Sequence, residues 1–294
     1  MLAANAVNVF MRRIPWPLAH NQGNSLRAFD LPAPVFQFLL GVSLVLFLRS
    51  RTARGRSAGQ ARMDAARRFV LLILLGMLLD CVGALHLDLR WGVLQTLGFG
   101  GIAGILFADA SDELVAAVAI GLLGPFSGAL NGEVHGSPGA ALAFVPLTLG
   151  GVLLGRAPST PDRVRALARR GLVVGVGSGL LAAALYAAGI PFNKVLGTSS
   201  FVALATSVAA LLIVLTATLE ARGLRYPPWL LTLGEHALTA WVLQYVLLYY
   251  PAWLLFPAWR RMAFAPGLVA IVLSTTMLSQ LTVILGRRGY RISL

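Results

Sequence analysis

LPAPVFQFLLGVSLVLFLR, residues 31–49, decides the fold class. Eighteen residues pass with one amide and one hydroxyl before the first charge, Arg49, and that is close to the roughly 20 apolar residues a helix needs to cross a bilayer. Pro32 and Pro34 suit a first helical turn, where a missing N–H costs nothing. The stretch repeats in kind along the chain. Of 294 residues 57% are hydrophobic and 12% charged, where a soluble domain carries about a quarter charged residues. The expected fold is therefore all-α, a polytopic membrane helical bundle of nine spans: 31–49, 69–86, 92–109, 113–130, 140–155, 171–189, 200–219, 229–250 and 265–286.

The net charge of +13 sits in short loops between apolar blocks, which marks topology and speaks against a nucleic-acid partner. Arg49 and loop 50–68 carry Arg51, Arg54, Arg56, Arg62, Arg67 and Arg68. Loop 156–170 carries Arg156, Arg163, Arg165, Arg169 and Arg170. Arg222 and Arg225 follow, and the tail 287–294 adds Arg287, Arg288 and Arg291. With nine spans all of these share one side, and the other side holds Arg12, Arg13, Arg27, Arg90, Lys194, Arg260 and Arg261. The positive-inside rule then sets the N-terminus outside and the C-terminus in the cytoplasm. Residues 1–30 form an extracytoplasmic segment, 31–286 the bundle and 287–294 a basic cytoplasmic tail. MLAANAVNVFM, 1–11, is too short to cross.

Chemistry-bearing residues are few. His20 lies in LAHNQGNSLRAFD, 18–30, on the extracytoplasmic side, and imidazole is the side chain best able to move a proton near neutral pH. Its plain reading is a solvated loop histidine. Asp30 suits a helix cap, and also the orienting of an imidazole. Asp80 lies within an apolar block, where ionisable groups face a cavity or a partner. Gln95, one turn into the third span, reads as a helix–helix hydrogen-bonding residue. Glu235 and His236 enter a later span. His86 and the loop NGEVHGSPG, with Glu133 and His135, also face outside, but the histidine spacing supports no metal site. The single cysteine, Cys81, excludes a disulfide framework. No phosphate loop, nucleophile elbow or dinucleotide fingerprint is present. YYPAWLLFPAWRRMAF, 249–264, has the aromatic character of a headgroup-zone segment.

Five stretches in order resemble the transmembrane acyltransferases related to heparan-α-glucosaminide N-acetyltransferase. His20, Asn24, Asp30, Pro34 and Gly41 spell H-x3-N-x5-D-x3-P-x6-G. FQFLLGVSLVLFLRSR with RRFVLLILLGMLLD, then WGVLQTLG, PFNKVLGTSSFVALATSVAALLI and LGEHALTAWVLQYV, follow as similar elements. The resemblance implies transfer of an acetyl group from cytosolic acetyl-CoA to an extracytoplasmic amino sugar or other glycan. By position it makes His20 the catalytic residue; chemically, Asn24 or an exposed helix N-terminus then suits donation to an oxyanion, and Asp30 the fixing of the imidazole tautomer. Gln95, Asn193, Lys194 and Asp80 are the expected substrate- or cofactor-binding residues. It implies acetyl-CoA as co-substrate and no metal, in a bacterial cytoplasmic (inner) membrane, with a homo-oligomer left open. The chain departs from the family's pattern at Thr96, where a basic residue is common, and at Gly197, where an aromatic is common. The family also carries a full span before its histidine. Two other readings stay open: a transporter or flippase for a glycan or lipid intermediate, built around Asp80 and the glycine-interrupted helices, and a non-catalytic membrane paralogue.

Overall fold

The computed structural model describes residues 2–15, 19, 23–124, 135, 138–157, 163–290 and 292 (at Arg163 and Arg261 the backbone alone). Among them the chain is helical throughout, with no strand. The elements in order are α1 Leu2–Phe10, a 3₁₀ turn Ala28–Asp30, α2 Pro32–Ala53, α3 Ala58–Ala84, α4 Val93–Leu106, α5 Asp112–Leu123, the short α6 Pro138–Ala141 leading through Leu142–Phe144 into α7 Val145–Gly155, α8 Arg163–Ala187, α9 Ser199–Ala221, α10 Pro228–Glu235, α11 Ala237–Gln244 continued by π turns to Leu255, and α12 Phe264–Arg287. Among the described residues six segments are long and apolar enough to cross a bilayer: Ala28–Ala53, Pro138–Gly155, Val164–Ala187, Ser199–Ala221, Ala237–Leu255 and Phe264–Arg287. They fit an integral multi-pass membrane protein.

α7 sits at the centre. It is apolar on every side, and every residue from Val145 to Gly155 except Leu153 is buried. Such a helix has no polar face to show solvent and must be surrounded. α2 crosses it at a pair of glycines. A Cβ on Gly41 would strike the Thr148 carbonyl oxygen, and one on Gly151 would strike that of Phe38. Lipid gives helices no hydrophobic push together, so this close backbone approach is how they gain contact. α8 packs on α9 by the same device, with Gly171, Gly175 and Gly179 against Val214, Leu211 and Ser207. Further core forms where α1 meets α12: Val7, Val9 and Phe10 pack with Leu248, Ile271 and Leu278.

Arginines bind one end of the bundle together. Arg49 donates to the carbonyls of Gly155, Arg156 and Ala157 at 3.3, 3.0 and 2.9 Å. Arg156 reaches the carbonyls of Phe107 and Ala108 beyond α4 at 2.8 and 3.0 Å, and Asp112 at 2.6 Å. Arg170 shares the same carboxylate at 2.9 Å. Helix C-termini carry unpaired carbonyls and a negative dipole end, and the guanidinium groups satisfy both. Asp112 ties two of the arginines, so Asp112→Ala is expected to lower stability by about 1 kcal/mol, a modest figure because the carboxylate is partly exposed. Thermal unfolding in detergent checks it. Arg170→Gln, which leaves the Arg156 pair, should cost less.

Candidate functional site

The opposite end of the bundle collects the polar residues. From Asp30 to Arg49 the chain rises about 28 Å as helix, close to a bilayer's hydrocarbon thickness. His20 lies outside the described residues, as does Glu133.

The PFNKVLGTSS segment is tied into a compact knot between α8 and α9. Thr198 donates its hydroxyl proton to the Pro191 carbonyl at 2.7 Å and accepts from the Asn193 N–H at 3.0 Å. Ser200 donates to the same Pro191 carbonyl at 2.8 Å. Asn193 Oδ1 accepts from the Leu196 N–H, three residues on, at 3.0 Å, which closes the loop locally. Gly197 takes φ +59°, the left-handed region that disfavours a side chain, which gives a physical reason for glycine there. The knot leaves the buried Asn193 one useful group, its Nδ2, and this donates to Asn24 Oδ1 at 3.0 Å. Two segments 169 positions apart thereby meet. Asn24 is itself exposed, and with its oxygen engaged its own Nδ2 makes no hydrogen bond among the described residues.

Asp30 is fully buried. Its Oδ2 accepts from the Arg27 N–H at 3.1 Å, so the carboxylate closes the 3₁₀ turn before α2. The N-cap position of α2 is Leu31, which offers no side-chain cap, and Asp30 sits one residue before it. Lys194 lies in electrostatic range of Asp30 without a contact ion pair. Burial pulls the Lys194 ammonium below its ordinary 10.5, and the Asp30 carboxylate offsets part of that fall.

His135 joins the cluster from the other side. Its Nδ1 lies 3.3 Å from Thr96 Oγ1 on α4, and the Phe144 ring meets it edge-on at 6.0 Å and 90°. Burial first, and the Lys194 charge second, push its imidazole from 6.5 down to about 4. Sequence reasoning placed His135 in an outer loop and Thr96 as a departure from pattern, without pairing them. The only signal was Thr96's place in the first turn of a helix whose N-terminus faces that loop.

Gln95, the neighbour of Thr96, faces another way. Its Nε2 donates to Asp80 Oδ2 at 3.0 Å and to the Arg90 carbonyl at 3.2 Å. Gly76 and Gly92 make room for it, since a Cβ at either would crowd the Gln95 amide. Tyr250 donates to the Leu79 carbonyl at 2.7 Å, and Arg90 pairs with Asp88 at 2.8 Å. Of the seven expected site residues, Asn24, Asp30, Asn193 and Lys194 thus stand together, while Asp80 and Gln95 bind each other in a second cluster across α4. An apolar cavity of about 300 Å³ lies elsewhere, between α2, α3, α4 and α11, against Phe36, Phe69, Leu94 and Trp241. Arg68 is its only charged wall residue, so it offers room for hydrocarbon and none of the groups that move protons. Among the described residues no group of three or more potential metal ligands is found. In comparisons with known proteins, no family model and no curated sequence matches the chain.

Proposed function

We propose that the protein is a membrane-embedded acyltransferase that moves an acetyl group from cytosolic acetyl-CoA to an amino sugar or other glycan acceptor beyond the membrane. The hydrogen bond between Asn193 and Asn24 carries this reading, because it joins the two sequence elements whose resemblance suggested the activity. In this reading the chain crosses the inner membrane of a bacterium nine times, with its N-terminus outside. The arginine-bound end faces the cytoplasm and can attract a polyanionic CoA. The Asn24–Asp30–Lys194 end faces outward.

His20 is the residue on which transfer depends, either as base toward the acceptor or as transient carrier of the acyl group. Asn24 Nδ2 supplies a donor for the oxyanion that develops as the acyl carbon is attacked. Lys194 and Asp30 set the local charge. The test uses the full chain purified in detergent, radiolabelled acetyl-CoA and a panel of amino-sugar and polyol acceptors. Wild type is expected to transfer label, and His20→Ala to lose at least about a hundredfold of the rate. Equal transfer by the two would remove His20 from the mechanism. No transfer by wild type to any acceptor would overturn the enzyme reading.

A further inference from the structure

The hydrogen bonds around Thr96 determine which nitrogen of His135 carries the proton. Thr96 has one hydroxyl proton, and the Gly92 carbonyl one turn back takes it at 2.9 Å. Toward His135 the Thr96 oxygen can therefore only accept. With that hydroxyl orientation Nδ1, at 3.3 Å, is assigned as the donor. In a neutral imidazole that leaves Nε2 with a bare lone pair. This atom is buried and has no hydrogen-bond partner among the described residues. Phe144, edge-on to the ring, fixes its plane. A buried polar atom is nearly always satisfied, so an acceptor without a partner at this end of the bundle calls for one.

The charges nearby limit what that partner is. The Lys194 charge acts on His135, and the Asp30 carboxylate acts on Lys194. Burial and the lysine together keep the imidazole neutral at physiological pH, so it serves poorly as a proton sink and well as a neutral acceptor. Its match is an uncharged O–H or N–H.

We propose that His135 Nε2 accepts a hydrogen bond from a neutral hydroxyl or amide N–H of the acceptor glycan, making His135 a specificity-determining residue of the outward site. This rests on the acyltransferase reading above. Thr96 acts through His135, as the residue that positions its tautomer. No proton or acyl group passes to His135 in this role.

The test has two independent arms. In the first, acetyl transfer is measured with His135→Phe, which keeps a ring and removes both nitrogens, and with His135→Gln, which restores an acceptor. His135→Phe is expected to raise the KM for the glycan about tenfold while the KM for acetyl-CoA is unchanged, with His135→Gln in between. Acceptors lacking one hydroxyl at a time should include one that loses the same tenfold with wild type and nothing further with His135→Phe. A KM for the glycan unchanged in His135→Phe, or KM values for both substrates rising together, overturns the proposal.

The second arm needs no turnover. The chain has four histidines, so ¹⁵N spectra of histidine-labelled protein, assigned by His135→Gln, resolve this ring. Nδ1–H is expected at pH 7 and an altered tautomer mixture in Thr96→Val. Titration with N-acetylglucosamine should shift the Nε2 signal. An Nε2–H tautomer in wild type overturns the proposal even if the enzyme is active. Absence of transfer by wild type, with the Nδ1–H tautomer and a sugar-induced shift both present, defeats the acyltransferase reading and leaves the binding role standing.

Discussion

Gly41→Ala and Gly151→Ala are each expected to destabilise the chain by on the order of 3 kcal/mol, enough to remove most folded protein from detergent extracts. Alanine ordinarily stabilises a helix interior relative to glycine by about 0.5–1 kcal/mol. Here the added methyl meets backbone. At Gly41 it collides with the Thr148 carbonyl and crowds the Val152 nitrogen; at Gly151 it collides with the Phe38 carbonyl and crowds the Val42 nitrogen. A flexible side chain could swing away, but a helix backbone yields only if the two axes separate. Separation would also loosen the Gln37–Thr148 hydrogen bond at 2.7 Å and the contacts that enclose Phe38 and Val152. Overpacking of this kind costs about 1–3 kcal/mol when something can shift, and the upper figure applies where nothing can. Gly177→Ala and Gly121→Ala are the controls, because a Cβ at either meets nothing within 4 Å. They should hold or raise the melting temperature while Gly41→Ala and Gly151→Ala lower it. Equal melting curves for all four variants would show that the α2–α7 crossing is looser than described.

Acid should destabilise the protein through His135. The imidazole is held at about 4 against 6.5 in an unfolded chain, so between those values the folded state binds fewer protons than the unfolded state. Its contribution is complete above about pH 6.5 and is lost as pH falls toward 4. Between pH 7 and pH 4.5 the loss amounts to about 2 kcal/mol. Carboxylates titrate in the same range, so the informative quantity is a difference. Wild type should lose about 2 kcal/mol more than His135→Gln over this interval, in denaturant or thermal unfolding of detergent-solubilised protein. Parallel pH profiles for the two proteins would mean that His135 takes up protons as easily folded as unfolded.

Hydropathy reads where a chain is apolar, and the helices follow it closely at ends marked by proline or glycine. The expected span 31–49 is the core of α2, 200–219 of α9 and 265–286 of α12. It fails where a helix runs on past its apolar part. α3 starts at Ala58, eleven residues before the apolar block at 69, because Ser57 and Gln60 form a reciprocal capping box and Ala61, Ala65 and Arg62 are good helix formers. α8 likewise begins among its arginines. Within 229–250 the break at Glu235–His236 was not foreseen, since nothing in the apolar pattern changes there.

The site divides the same way. Asp30 is marked by its place before an apolar run, while Asn24, Asn193 and Lys194 come only from the family resemblance; the four lie together. Asp80 and Gln95 stood out equally, yet they pair with each other. Which polar residues meet depends on which helix faces meet, and one sequence does not carry that. His135 reads in the sequence only as an outer-loop histidine, because its pairing rests on Thr96, 39 positions away.

Gln95 and Thr96 are consecutive, so on a helix their side chains leave the axis about 100° apart. One grips Asp80 on α3 and the other holds His135 in its loop. The first turn of α4 therefore acts as a pin with two prongs set at a fixed angle. Any twist of that helix which relieves one prong strains the other, and the two polar clusters keep a common register without touching.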